Sequence, residues 1–194
     1  MDNNLNTKRL LKELLNPEIV KNNLSLISLY IMIFELLKDT IEKNVDDFFL
    51  IEYKEDNQGN KKKETNDNYK KNVLSLLDPK DNKNYYIKAS LRWLQEANIL
   101  DKEDEQIYNN LRKYRNELTH EFFMYIIENK EICKINMKLL IDLFTKLEKK
   151  WIIEIEIPLN PDYDKKIIEE EDVDSYKLLT LDLIHDIALA DKDD

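Results

Sequence analysis

Apolar residues recur every three or four positions along most of this chain, and the breaks in that rhythm mark its elements. Thr7 to Leu15 predicts a short amphipathic helix stopped by Asn16-Pro17. Asn16 then caps a second helix with Pro17 in its first turn, where a missing N–H costs nothing. That helix runs to about Asn44 and is apolar on nearly every side from Leu24 to Leu37. Such a pattern predicts burial on more than one face, by a core and by a partner subunit. Asp46 to Tyr53 fits a helix end or a short strand, since periodicity cannot separate the two over so few residues. Lys54 to Asn72 is polar and holds the only glycine, Gly59, which predicts a flexible loop with Lys61, Lys62 and Lys63 as solvated charges.

Tyr85 to Asn98 predicts a helix with Ile87, Leu91 and Leu94 on one stripe and Trp93 beside it. Asp101 is a candidate N-cap for the next helix, with Glu103, Asp104 and Glu105 in the first turn, where carboxylates suit the helix dipole. This helix reaches about Asn129. Ile132 to Lys150 predicts another, with Ile132, Ile135, Leu139, Leu143 and Leu147 in register. Trp151 to Ile157 alternates Ile with Glu, a strand-like period of two. An acidic loop from Pro158 to Asp174 and a short helix from Leu178 to Leu189 complete the pattern. The expectation is an all-α fold in a single domain, residues 1–194. Its core is an antiparallel four-helix bundle over about residues 17–150. A short N-terminal helix precedes the bundle, and a small strand/helix appendage, residues 151–194, follows it.

Composition supports the helical reading: 194 residues with one Gly and four Pro leave little material for the turns of a large sheet. The single Cys133 excludes an intrachain disulfide and, with two distant His, a Cys/His zinc site; a reduced, cytoplasmic compartment fits. Met1 to Arg9 is too polar for a signal peptide, and Leu24 to Leu37 is too short for a membrane span and contains Glu35. The net charge of −10 belongs to the end of the chain. Residues 151–194 carry four Lys against fourteen Asp or Glu, so the first 150 residues are neutral, with 26 groups of each sign. Acidity therefore neither favours nor forbids a nucleic-acid partner for the helical part.

The candidate chemistry lies in Tyr114-Arg115-Asn116-Glu117-Leu118-Thr119-His120-Glu121. The chain has two His and four Arg, so an Arg five residues before a His, followed by a small amide, is a notable placement. At about 100° per residue, Ile107, Leu111, Tyr114, Leu118 and Tyr125 form a stripe facing the core. Thr119, Asn116 and His120 then lie at about 40°, 100° and 140° from Arg115. Arg112 and Phe123 fall in the same fan, with Ile127 at its edge. Apolar Phe123 and Ile127 among these cations predict a face covered by a second copy of the chain. An imidazole can give or take a proton near neutral pH, and the planar guanidinium matches phosphate oxygens. A twofold contact would supply two of each, which suits metal-free RNA cleavage by the 2′-hydroxyl.

Arg115-Asn116 followed by three residues and His120 resembles the signature of the HEPN superfamily, and its place in a late helix of a four-helix bundle resembles many prokaryotic members. The resemblance covers about residues 17–150. It implies a homodimeric, metal-independent endoribonuclease without a cofactor, acting on tRNA or mRNA in antiphage defence, abortive infection or as a growth-arresting toxin. By this likeness Arg115 and His120 are catalytic and Asn116 orients the site or the RNA. Arg112 and Thr119 are candidate substrate contacts. A protein antitoxin or regulator is a further implied partner. Members paired with a nucleotidyltransferase antitoxin carry Tyr two residues after the His; Phe122 stands here, so the likeness does not extend to that branch.

Blander readings compete. Arg115 and His120 also fit an exposed helix face, and a non-catalytic dimerisation module or an antitoxin-like partner would share the fold. His185, between Asp182 and Asp186, reads as a surface histidine, and Glu117 and Glu121 as surface charges paired with Lys113 or Arg112 at helical spacing. The acidic C-terminus reads as solvation, or as a segment that occupies the basic face and restrains activity.

Overall fold

The structure, a computed structural model, describes residues 16–56, 58–59, 61–78, 85–127, 130, 132–163 and 173–189, without the side chains of 127, 163 and 185–189. The helix expected at Thr7–Leu15, the Asp-rich end and the side chain of His185 lie outside the described residues. The fold is mostly helical with a small two-stranded antiparallel sheet. Its elements are α1 (Pro17–Phe48), β1 (Glu52–Glu55), β2 (Lys61–Glu64), α2 (Asp67–Asn72), α3 (Tyr85–Glu96), α4 (Lys102–His120), α5 (Phe122–Ile127), α6 (Lys134–Trp151) and α7 (Tyr176–Leu189). The chain forms two compact units. Among the described residues one comprises 16–34, Ile107–Leu143 and 174–189, and the other Glu35–Gln106 and Phe144–Val173.

Local chemistry sets the helix ends. Asn16 Oδ1 accepts the Glu18 N–H at 3.0 Å and starts α1. That helix continues four residues past Asn44, to Phe48, where Leu50 turns left-handed (φ 53°) and the Ile51 N–H closes back on the Asp46 carbonyl at 2.9 Å. The apolar run of α1 is not covered on every side: Ile27, Tyr30, Ile33 and Leu37 are buried, whereas Leu24 and Met32 remain exposed. Asn98, also left-handed (φ 57°), ends α3, and the Ile99 N–H returns to the Leu94 carbonyl. Asp101 caps α4 as expected, accepting from Glu103 and Asp104 N–H at 2.8 and 3.0 Å, while Asp104 Oδ2 accepts the Asp101 N–H in return.

In the unit containing β1 and β2, the described residues of Lys54–Asn72 include strand pairing and α2 in place of the expected loop. The strands pair from Glu52↔Glu64 to Glu55↔Lys61. Lys61 and Lys62 are exposed, as a solvated run requires, but Lys63, on the face opposite Lys62, is drawn inward. Its ammonium pairs with Asp46, donates to the Tyr69 hydroxyl at 2.8 Å and lies over the Tyr69 and Tyr86 rings at 4.5 and 4.4 Å. Asp46 also accepts from the Tyr53 hydroxyl. A polar composition hid this because the lysine reaches its anion and aromatic partners only through tertiary structure. Phe48, Phe49, Trp93 and Trp151 pack nearby, with neighbouring ring centroids 5.0–6.4 Å apart.

Two further expectations are corrected. Trp151–Ile157 is not a strand: Ile152–Glu156 winds as a π-helix continuing α6, then one turn Ile157–Leu159. Among the described residues no strand pairs with it, and the backbone keeps its hydrogen bonds within the segment. The buried stripe of α6 is also shifted. Met137, Leu140, Leu143 and Leu147 are buried, whereas Ile135 is 71% exposed and Ile132 precedes the helix.

In the other unit, α1 and α4 are joined through aromatic contacts. Tyr30 meets Tyr114 edge-on at 5.1 Å and donates to the Leu111 carbonyl at 3.1 Å, and Phe34 stacks on Tyr108 at 5.5 Å. Asn23 reaches the Tyr125 carbonyl at 3.2 Å. Tyr108, Leu111, Leu118 and Tyr125 are buried, close to the predicted core stripe, with Ile107 and Tyr114 half-buried. Each fully buried side chain of this size contributes roughly 1.5–3 kcal/mol, so this stripe fixes which way α4 is turned. The opposite side of α4 carries the motif.

Candidate active site

Arg115, Asn116, Thr119 and His120 occupy the final turns of α4. Arg115 is half-buried, and Asn116, Thr119 and His120 are exposed. The Arg115 guanidinium donates to Asn116 Oδ1 at 3.2 Å, so the amide after the arginine touches the cation directly. Thr119 donates its hydroxyl to the Arg115 carbonyl at 2.9 Å, which leaves that oxygen only acceptor capacity toward a ligand. Arg112 is half-buried one turn earlier. His120 is exposed, and among the described residues no hydrogen bond or ion pair engages its imidazole. Arg115 and His120 are separated by about 7.5 Å along the helix axis and about 140° around it.

His120 is the last residue of α4, whereas the periodicity predicts a helix reaching Asn129. Glu121 N–H still bonds the Glu117 carbonyl at 2.8 Å, but the Glu121 carbonyl already accepts Met124 and Tyr125 N–H, and α5 starts afresh. Phe123 and Ile127 therefore do not share one continuous helix face with Arg115, and the predicted fan holds only as far as His120. Phe123 is nevertheless 68% exposed, with Met124 beside it at 45%. The side chain of Ile127 is outside the described residues.

A polar clamp fixes the break. Tyr125 is buried, and its hydroxyl donates to Glu117 Oε1 at 2.8 Å. Lys130 pairs with the same oxygen at 3.0 Å and with Glu121 at 3.6 Å, and lies 4.5 Å over the Tyr125 ring. Tyr114 accepts the Cys133 N–H at 2.8 Å, tying the start of the next segment to α4. Lys130, then the Tyr125 hydroxyl, holds the Glu117 carboxyl below its usual range. Burial, then the Glu117 carboxylate, pushes the Tyr125 phenol up. Bonding to Glu117 raises the Lys130 ammonium.

Glu117 and Glu121 thus pair with Lys130, not with Lys113 or Arg112 as helical spacing suggested. Lys130 lies beyond the break, where no intrahelical rule applies. The available signal was Tyr125 itself, because a core-facing tyrosine needs a partner for its hydroxyl. The consequence is electrostatic. Lys130 offsets one of the two carboxylate charges flanking the motif, which weakens their repulsion of an anionic ligand at this end of α4.

Among the described residues no group of three or more His, Cys, Asp or Glu is placed to hold a metal ion, and no helix is long and apolar enough to cross a membrane. Comparison of the chain with protein-family models, curated proteins and solved structures finds no match.

Proposed function

We propose that this protein is a HEPN-type, metal-independent endoribonuclease that works as a homodimer in the cytoplasm, in antiphage defence or growth arrest. On this reading α1, α3, α4 and α6 are the four helices of the HEPN bundle. One observation carries the proposal: an exposed His120 and an Asn116-bound Arg115 share the end of one helix, where Lys130 pairs with both neighbouring carboxylates.

A twofold contact through the ends of α4 and the exposed Phe123 would bring two copies of the pair together. One imidazole takes the proton of the RNA 2′-hydroxyl as that oxygen bonds to the adjacent phosphorus. The other, as imidazolium, gives a proton to the 5′-oxygen as its bond to phosphorus breaks. The products are a 2′,3′-cyclic phosphate and a free 5′-hydroxyl. The Arg115 guanidinium groups hold the phosphorane charge, with Arg112 and the Thr119 oxygen along the RNA backbone. Asn116 keeps Arg115 aimed.

Induced expression of wild type beside Arg115→Ala and His120→Ala tests the reading through growth and RNA integrity. Wild type is expected to arrest growth with fragmented tRNA or mRNA, and each variant to spare both. Arrest by both variants at the wild-type level would overturn the assignment and leave a non-catalytic binding module in its place.

A further inference from the structure

A cavity of about 550 Å³ opens in the same unit as the motif, among α1, α6 and α7. Its walls are apolar: Leu26 and Leu29 from α1, Met137 and Ile141 from α6, Leu181 from α7, with Ile132 just before α6. Leu29, Ile132, Met137 and Leu181 are buried, whereas the charged lining residues Lys134, Lys138, Asp142 and Asp182 are exposed. The cavity therefore has a greasy floor and a charged mouth. Its volume lies in the range of small-molecule sites.

The charges at the mouth are ordered. Lys134 and Lys138 stand one helical turn apart on α6, about 6 Å along the axis, and Asp142 follows a turn later, with Asp182 opposite on α7. Among the described residues neither lysine makes an ion pair or hydrogen bond. Two adjacent ammonium groups at the rim of an apolar pocket suit one carboxylate whose tail enters the pocket. The two aspartates disfavour a second anion at the far side.

From this arrangement we propose that the cavity binds a single-chain carboxylate amphiphile of the fatty-acid class, its acyl chain against Leu26, Leu29, Met137 and Leu181 and its head on Lys134 and Lys138. This site is separate from the nuclease chemistry and does not depend on it. Occupancy would brace α1, α6 and α7 against one another.

Calorimetric titration of the full chain with octanoate, decanoate and dodecanoate, each below its micelle concentration, tests the proposal. One saturable site is expected, with Kd falling about fourfold per added methylene until the cavity is full. Dodecanol and the twelve-carbon dicarboxylate should bind more weakly than dodecanoate. Reversing both exposed lysines (Lys134→Glu with Lys138→Glu) should raise the Kd for dodecanoate by about tenfold or more and leave dodecanol unchanged. Ile141→Trp, which fills the cavity, should penalise the longest acid most, and His120→Ala should bind dodecanoate as wild type does. No saturable binding, a Kd independent of chain length, or an unchanged Kd in the lysine variant would overturn the proposal.

Discussion

The Tyr125 hydroxyl donates to Glu117 Oε1 at 2.8 Å, and this bond spans the break at Glu121 that ends α4 beside His120. The ring is buried under Lys130, and the hydroxyl also bonds the Lys130 and Tyr114 side chains. Tyr125→Phe keeps the ring packing and removes the hydroxyl with its bonds to Glu117, Lys130 and Tyr114. It is expected to lower stability by about 1–2 kcal/mol, measured by urea unfolding. On the proposed function RNA cleavage should fall as well, because the clamp holds the end of α4. A variant as stable as wild type would show that the bond contributes nothing.

The same clamp predicts an acid-side loss of stability. Lys130 and Tyr125 depress the folded-state value of Glu117, so between that value and the unfolded one the folded state binds fewer protons at this group. The contribution is therefore complete above about pH 4.3 and is lost as pH falls through the depressed value. Thermal unfolding of wild type and Glu117→Gln should converge as pH falls from about 5 to about 3. Parallel curves across that range would count against the clamp.

In the other unit, the Lys63–Asp46 pair holds the hairpin on α1, with side-chain exposures of 9% and 2%. Lys63→Met strands a buried carboxylate and is expected to cost about 3–5 kcal/mol in urea unfolding. Adding Asp46→Asn to that variant should restore part of the loss, because the uncompensated charge is gone. A single variant within 1 kcal/mol of wild type, by the same scale, would mean the pair is not coupled to folding.

Phe123 is 68% exposed, so Phe123→Asp should change monomer stability by no more than about 0.5 kcal/mol. On the proposed function it separates the dimer and abolishes cleavage together, read by light scattering and RNA gels. A dimer that survives the change, with cleavage intact, would place the contact elsewhere.

The long helices were legible because their caps and periodicity are local. Asn16 and Asp101 act as N-caps where expected, and the stripe ending in Leu118 and Tyr125 is buried. Features made by tertiary contact were not legible. Lys63 belongs to the same lysine run as the solvated Lys62, and its contacts with Asp46, Tyr69 and Tyr86 separate their fates. The break at Glu121 carries no Gly or Pro to announce it. It coincides instead with anchors drawn from distant segments, Asn23 on the Tyr125 carbonyl and Lys130 on Glu117. The Ile/Glu alternation after Trp151 misled because period two specifies a strand only where another strand is present to pair with it. Of the candidate site, the sequence yielded Arg115, Asn116 and His120 as neighbours on one helix end, and missed the clamp behind them.

The central claim is that Arg115 and His120 cleave RNA without a metal, and the most direct measurement is end-group analysis of RNA incubated with the purified protein in EDTA. The account predicts fragments of tRNA or total RNA ending in 2′,3′-cyclic phosphate with 5′-hydroxyl partners, lost in His120→Ala and in Arg115→Ala. Intact RNA with folded, dimeric wild-type protein, or fragments that persist in the His120→Ala protein, would contradict it.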